Sequence, residues 1–226
     1  TALVAQRHSY LIRTPRAPFL PCLTAVLLSA GINLVTVARI SEIVKATYLR
    51  QKLNVPLSNG TAAIVIERLF DVCVVTAIGL AGFTGVFLES NNILIVVLWT
   101  GILGLLLLRP ASEFCLPFLE HRNDPISRFL HGNCQHVLSA LSWKASAVTL
   151  LLTIGSWGVH YFAIWLFFFV QPGYELSFSQ AALVFGAIIF ASAIPSLPAG
   201  IGLFQAAVTF ALTKMGIPFT EALLLS

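Results

Sequence analysis

Glu67, Arg68 and Asp71 stand at the front of an apolar run, residues 62–88, in which most other side chains are hydrocarbon. A charge at a bilayer centre costs roughly 2.5–3.5 kcal/mol on insertion scales, so charges held there face a polar cavity or pair with one another. On a helix Glu67 and Asp71 are four apart and Arg68 and Asp71 three apart, which lets all three meet on one side. The chemistry this offers is recognition of a zwitterionic or anionic head group. Arg68 would grip phosphate with its planar fork, while the carboxylates hold it in place or bind an ammonium. The alternative for the same residues is an ion network that joins helices. Upstream, Arg39, Glu42 and Lys45 recur three apart. They either extend the polar path to the cytoplasmic surface or form a solvated helix face beside anionic lipid. Downstream, Pro195, Pro198, Gly200 and Gly202 interrupt an apolar run at IPSLPAGIG, where backbone groups and a helix N-terminus can be aimed at an anion, with Gln205 as a neutral donor on the following helix. A purely structural hairpin tip is the other reading of that break.

The elements that must position these residues are membrane helices. The 226 residues are 58% hydrophobic and only 10% charged, with a mean hydropathy of +0.90, far from the balance of a soluble chain. In that setting the formal charge of +4 reports membrane orientation, and nucleic acid is excluded as a partner. Cys22, Cys73, Cys115 and Cys134 lie far apart without a CxxC pair and are expected to be free thiols. His121, His131, Cys134 and His136 lack the spacing of a standard metal site, and His160 reads as a hydrogen-bonded residue within a span. No Walker loop, GxSxG or paired Asp-rich magnesium motif occurs, so no cofactor and no catalytic residue is assigned. Both ends read as cut from a longer protein.

Residues 23–37 are apolar but span roughly 22 Å as a helix, short of the ~30 Å hydrocarbon core, so they are expected to enter and turn back. Residues 39–52 read as an amphipathic helix with Ile40, Ile43, Val44 and Leu53 on the apolar side, ended by Asn54-Val55-Pro56. Three full spans follow at 62–88, 93–108 and 145–170, the second stopped by Arg109-Pro110 and the third ending in the aromatic run YFAIWLFFF. Between the last two, an interfacial helix is expected to bury Phe129, Leu130, Val137, Leu138 and Leu141. The broken apolar run 181–213 fits a re-entrant hairpin, with its tip in protein or a watery cavity.

Arg39, Lys45, Arg50, Lys52, Arg109, Arg122, Arg128 and Lys144 flank one side of the three spans, whereas 89–92 and 171–180 carry no Lys or Arg. The basic side is therefore placed in the cytoplasm. A shift of 162 positions lays KLNVPLS (52–58) on KMGIPFT (214–220) and residues 30–32 on 192–194. With three spans between the copies, the second hairpin would enter from the opposite side. The expectation is an all-α, polytopic membrane helix bundle: one domain, 1–226, with two re-entrant helical hairpins in an inverted repeat, the first copy about 22–108 and the second about 145–226.

The stretch ARISEIVKATYLRQKLNVPLSNGTAAIVIERLFDV, with its Glu-Arg-x-x-Asp, and the break IPSLPAGIGLFQAAVTFALTKMGIP together resemble the lysylphosphatidylglycerol synthetase transmembrane, or flippase-like, family. The resemblance implies a bacterial or archaeal inner-membrane domain that moves a phospholipid or lipid-linked head group between leaflets, and it extends to relatives that accompany glycosyltransferases. Its motif positions fall on Arg39, Glu42, Lys45, Glu67, Arg68, Asp71, Pro198, Gly200 and Gly202. This chain departs from the pattern at Ser41, Lys45, Ala199 and Gln205, where the family has Gly, Arg, Gly and Glu. The change at Gln205 removes a charge that would recognise a cationic aminoacyl group. Two other functions stay open: a membrane-embedded transferase that uses a lipid phosphate, with Glu67 or Asp71 as base, and an accessory subunit of a glycosyltransferase. A homo-oligomer is an open partner reading as well.

Overall fold

The computed structural model describes residues 1–12, 18–36, 40–87, 92–122, 124–193 and 202–226. Among them are ten helices and no strand: α1 Ala2–Ile12, α2 Phe19–Val35, α3 Ile40–Leu53, α4 Leu57–Phe87, α5 Asn92–Glu120, α6 Pro125–Ala140, α7 Trp143–Phe169, α8 Phe178–Ala193, α9 Leu203–Lys214 and α10 Phe219–Leu224. The fold is the expected all-α membrane bundle. Gly101–Glu120 and Trp143–Phe169 are long and apolar enough to cross a bilayer by length and composition, with Phe19–Val35 and Phe178–Ser192 as shorter apolar helices. Large apolar side chains such as Leu20, Trp99, Leu106, Phe114 and Leu151 point outward. In water so much exposed hydrocarbon would drive association, whereas lipid solvates it.

The chain forms two compact units, one of residues 1–33, 39–72 and 100–156 and the other of 34–38, 73–99 and 157–226. In the first, Leu11, Cys22, Ala25, Leu49, Ala63, Ile66, Phe70 and Val137 share one core. Ser41 Oγ donates to Asn33 Oδ1 at 2.6 Å, joining the end of α2 to the start of α3. Ala25 and Leu49, each eight residues away from that bond, meet in the same core, which is the register of an antiparallel helical pair. In the second unit Phe168, Val184, Val208, Leu212 and Ala222 form the core, and α8 packs on α9.

Positions 162 apart share local geometry. Asn54 follows α3 with φ 54°, and Gly216 follows α9 with φ 91°. Both take the left-handed turn that ends a helix, where Gly and Asn are tolerated best. Pro56 and Pro218 then precede α4 and α10, whose first turns close with Gly60 N–H on Pro56 O and Ala222 N–H on Pro218 O. Cys22 and Val184, also 162 apart, are both fully buried, each in its own unit's core.

Several expectations need correction. α5 runs through Pro110 and Pro117 instead of stopping at Arg109-Pro110. Each proline costs its helix one backbone hydrogen bond, and an apolar environment, in which a free end would leave more groups unpaired, favours keeping the helix whole. In α3 the buried face is Ser41, Lys45, Ala46 and Leu49, while Ile40 and Ile43 are exposed. In α6 Phe129 and Leu130 are exposed, and Ser127, His136, Val137 and Ala140 are buried. Polar and small faces turn inward because the surroundings are apolar; Ile40 and Ile43 face those surroundings as expected and Val137 is buried as expected, whereas Phe129 and Leu130 are not. All four cysteines are free, as expected. The break at 194–201 and the turn at 89–91 lie outside the described residues.

Gly82 on α4 meets α8 with almost no clearance in the second unit, since a Cβ there would fall 2.5 Å from Leu183 N and 2.6 Å from Ala182 C. Small residues are how membrane helices approach this closely. Gly82→Ala must push backbone apart and is expected to cost about 1–3 kcal/mol. Gly158→Ala, which meets nothing within 4 Å, is expected to be close to neutral. Thermal unfolding of the two variants in one detergent checks the contrast.

Candidate functional site

α4 supplies the acids, and three other helices of the first unit supply their partners. Glu67 is completely buried. Its Oε2 accepts from Lys45 Nζ of α3 at 2.8 Å, its Oε1 is 3.0 Å from His8 Nδ1 of α1, and Arg7 Nε lies 3.6 Å away. One turn later, Asp71 receives both terminal nitrogens of Arg7, at 2.5 and 3.2 Å. Arg7 Nη1 also donates to Thr153 Oγ1 of α7 at 2.9 Å. Spacing explains the convergence: Glu67 and Asp71 lie on one side of α4, Ser41, Lys45 and Leu49 recur every fourth residue on the buried face of α3, and Arg7 and His8 lie inward between Ala5 and Leu11 on α1.

Arg68 occupies the open edge of this cluster. Its Nε donates to Glu42 Oε1 at 2.8 Å and its Nη1 to Asp71 Oδ2 at 3.3 Å, with its side chain 45% exposed against 22% for Glu42 and 9% for Asp71. The arrangement is thus graded, from a dry carboxylate clamped by cations to a guanidinium held in position with part of its surface free.

Of the residues singled out by sequence, Glu42, Lys45, Glu67, Arg68 and Asp71 come together here. The pairing differs from the one read along a single helix: Glu67 is neutralised by Lys45 and Arg7, and Arg68 goes to Glu42 and Asp71. Lys45 is not a step towards the surface but a buried counter-ion. Gly202 and Gln205 belong to the other unit, where Gln205 Oε1 accepts from Gly202 N–H at 2.7 Å and so closes the first turn of α9. Gly202, with φ 85°, takes a conformation few other residues adopt. Arg39, Pro198 and Gly200 lie outside the described residues. Sequence reasoning missed Arg7, His8 and Thr153. Arg7 and His8 sit between the apolar groups ALVA and YLI, a signal that a short buried helix could have been inferred from.

Two cavities of the described residues lie apart from the cluster. One of about 410 Å³ is lined by Thr47, Arg50, Gln51, Asn54, Val55 and Pro56. Another of about 280 Å³ includes Tyr174, Glu175, Gln180 and Glu221. The first borders the helix-ending turn at Asn54 and the second the one at Gly216.

The family model for the lysylphosphatidylglycerol synthase TM region matches residues 2–226. The chain belongs to that family. As a member of the lysylphosphatidylglycerol synthase transmembrane-region family it is an integral membrane protein, and the family implies a membrane lipid as its substrate class. No curated protein and no solved structure matches the chain.

Lys45 and Glu67 provide the sharpest stability test. Lys45→Met leaves a buried carboxylate short of a cation and is expected to lose about 3–5 kcal/mol, whereas adding Glu67→Gln should recover most of the loss. Arg109→Ala breaks only an exposed pair with Glu113, 3.1 Å apart, and should cost under ~0.5 kcal/mol. Unfolding in detergent with all variants side by side checks the ranking.

Proposed function

We propose that this protein moves a phospholipid or lipid-linked head group between the leaflets of the inner (plasma) membrane, with its basic loops in the cytoplasm. The observation that carries the reading is Arg68, a half-exposed guanidinium braced by Glu42 and Asp71 at the edge of a buried, charge-paired interior. A lipid phosphate can compete for the fork of Arg68 while its acyl chains stay in the bilayer. The interior behind it gives a polar head group a route that hydrocarbon denies. Glu42, Lys45, Glu67 and Asp71 then tune that site. Arg39, Pro198, Gly200, Gly202 and Gln205 are proposed to contribute further head-group contacts. Two re-entrant hairpins in an inverted repeat would supply the alternating access such transport needs, and the geometry common to positions 162 apart supports that repeat.

A transferase with Glu67 or Asp71 as base is the weaker reading. Both carboxylates are already engaged by cations, Glu67 by Lys45 and Arg7 and Asp71 by Arg7 and Arg68, which leaves them poorly placed to face a substrate hydroxyl.

Arg68→Lys keeps the charge but loses the planar fork. Leaflet exchange of labelled lipid in proteoliposomes, normalised to folded protein, is expected to fall about tenfold, equivalent to roughly 1.4 kcal/mol in the barrier. Folded yield should be nearly unchanged. Exchange at the parental rate would remove Arg68 from the transport path.

A further inference from the structure

Behind Arg68 the cluster holds one titratable group that head-group binding leaves idle. His8 is fully buried, its Nδ1 is 3.0 Å from Glu67 Oε1, and its Nε2 is buried with no hydrogen-bond partner. A carboxylate set between Lys45 and Arg7 has no proton to offer, so Nδ1–H of His8 is assigned as the donor and the Nε2 lone pair is left bare. The hydroxyl of Thr149 on α7, one turn from the Thr153 that binds Arg7, is also buried without a partner. Arg7 Nε is a third buried polar atom of this cluster without a hydrogen bond, and such a group of them suits an exchangeable proton or water.

The charges around His8 are those of Glu67 on α4, Lys45 on α3 and Arg7 on its own helix. Asp71 lies beyond Arg7, and α2 brings the thiol of Cys22 near Lys45 and Glu67. Among the described residues the cluster is balanced: Arg7, Lys45 and Arg68 against Glu42, Glu67 and Asp71. That balance holds only while His8 is neutral. A phosphodiester that moves from Arg68 into the cluster adds one negative charge to a buried, balanced set of ions, and an uncompensated charge in such a place is strongly disfavoured.

We propose that His8 takes up one proton at Nε2 when a net-anionic phosphodiester head group enters the cluster and releases it when the head group leaves, so that lipid and proton cross together. The charges close: the neutral imidazole becomes an imidazolium, which offsets the phosphodiester, and the proton is returned to water on the far side. A zwitterionic head group carries its own cation and needs no proton. The proposal rests on the lipid-transport reading above and adds the coupling ion and the preferred charge of the substrate.

The experiment uses the whole chain in proteoliposomes containing labelled phosphatidylglycerol or labelled phosphatidylethanolamine, first at equal pH on both sides and then with an imposed pH gradient. The parent is expected to enrich phosphatidylglycerol in the leaflet facing the alkaline side, by up to about tenfold per pH unit for one proton per lipid. Phosphatidylethanolamine should be indifferent to the gradient. His8→Gln and His8→Asn, normalised to folded protein, should still exchange phosphatidylethanolamine but lose most phosphatidylglycerol exchange and its response to the gradient. If neither variant folds, the parent's response and its lipid preference decide. Exchange at equal pH with no gradient response in the parent, or a parental response in a folded His8 variant, overturns the coupling and leaves lipid transport standing. No exchange of either lipid by the parent overturns both.

Discussion

A carboxylate buried to its last atom is the constraint on which the first unit depends. Glu67 cannot stay charged in that position without cations in contact, and leaving one such group unpaired costs several kcal/mol. Lys45 must therefore come from α3, and Arg7 with His8 from α1. In lipid, apolar contact alone gives helices little reason to prefer each other over the surrounding chains. Ion pairs and hydrogen bonds thus fix where α1 and α3 stand on α4. The shared core of Leu11, Leu49, Ala63 and Ile66 then packs what the charges have brought together.

The same constraint separates holding from binding. Arg7 and Lys45 are committed to Glu67 and Asp71, so exchanging either for a ligand would expose a buried acid. Arg68 is different, because its partner Glu42 is itself partly open and the guanidinium retains free surface. On the proposed reading Arg68 can give up one contact to a phosphate while Arg7 and Lys45 keep their pairs with Asp71 and Glu67. The second unit relies on other means, with backbones brought into contact at Gly82 and Gly79 against α8 and a turn of positive φ at Gly216 that sets up α10.

Much of this was legible in the sequence. The hydropathy announced membrane helices, and the spacing of Glu67, Arg68 and Asp71 marked α4 as the bearer of the charge cluster. The pairing was not legible, because spacing along one helix says nothing of what another brings. Lys45 reached Glu67 from twenty-two positions away, and Arg7 reached Asp71 from sixty-four. Arg7 itself sits in a helix of eleven residues, too short to declare itself by periodicity. The role of Lys45 was misread for a physical reason. Amphipathic reasoning assumes water outside, but here Ile43 faces outward and Lys45 faces the acid. The helix-ending turn at Asn54-Val55-Pro56 was read correctly, since an Asn followed two residues later by proline is a local stop signal that needs no tertiary partner, and Asn54 takes the left-handed conformation there.

The central claim is that Arg68 belongs to a lipid and the charges behind it belong to the fold. Native mass spectrometry of lipid retained through purification tests it most directly, comparing the parent with Arg68→Leu combined with Glu42→Leu. That pair removes one cation and one anion and leaves the buried interior balanced. The account predicts an unchanged melting temperature with loss of a phospholipid that the parent retains. Equal retention of that lipid by parent and double variant, or unfolding of the variant, would contradict it.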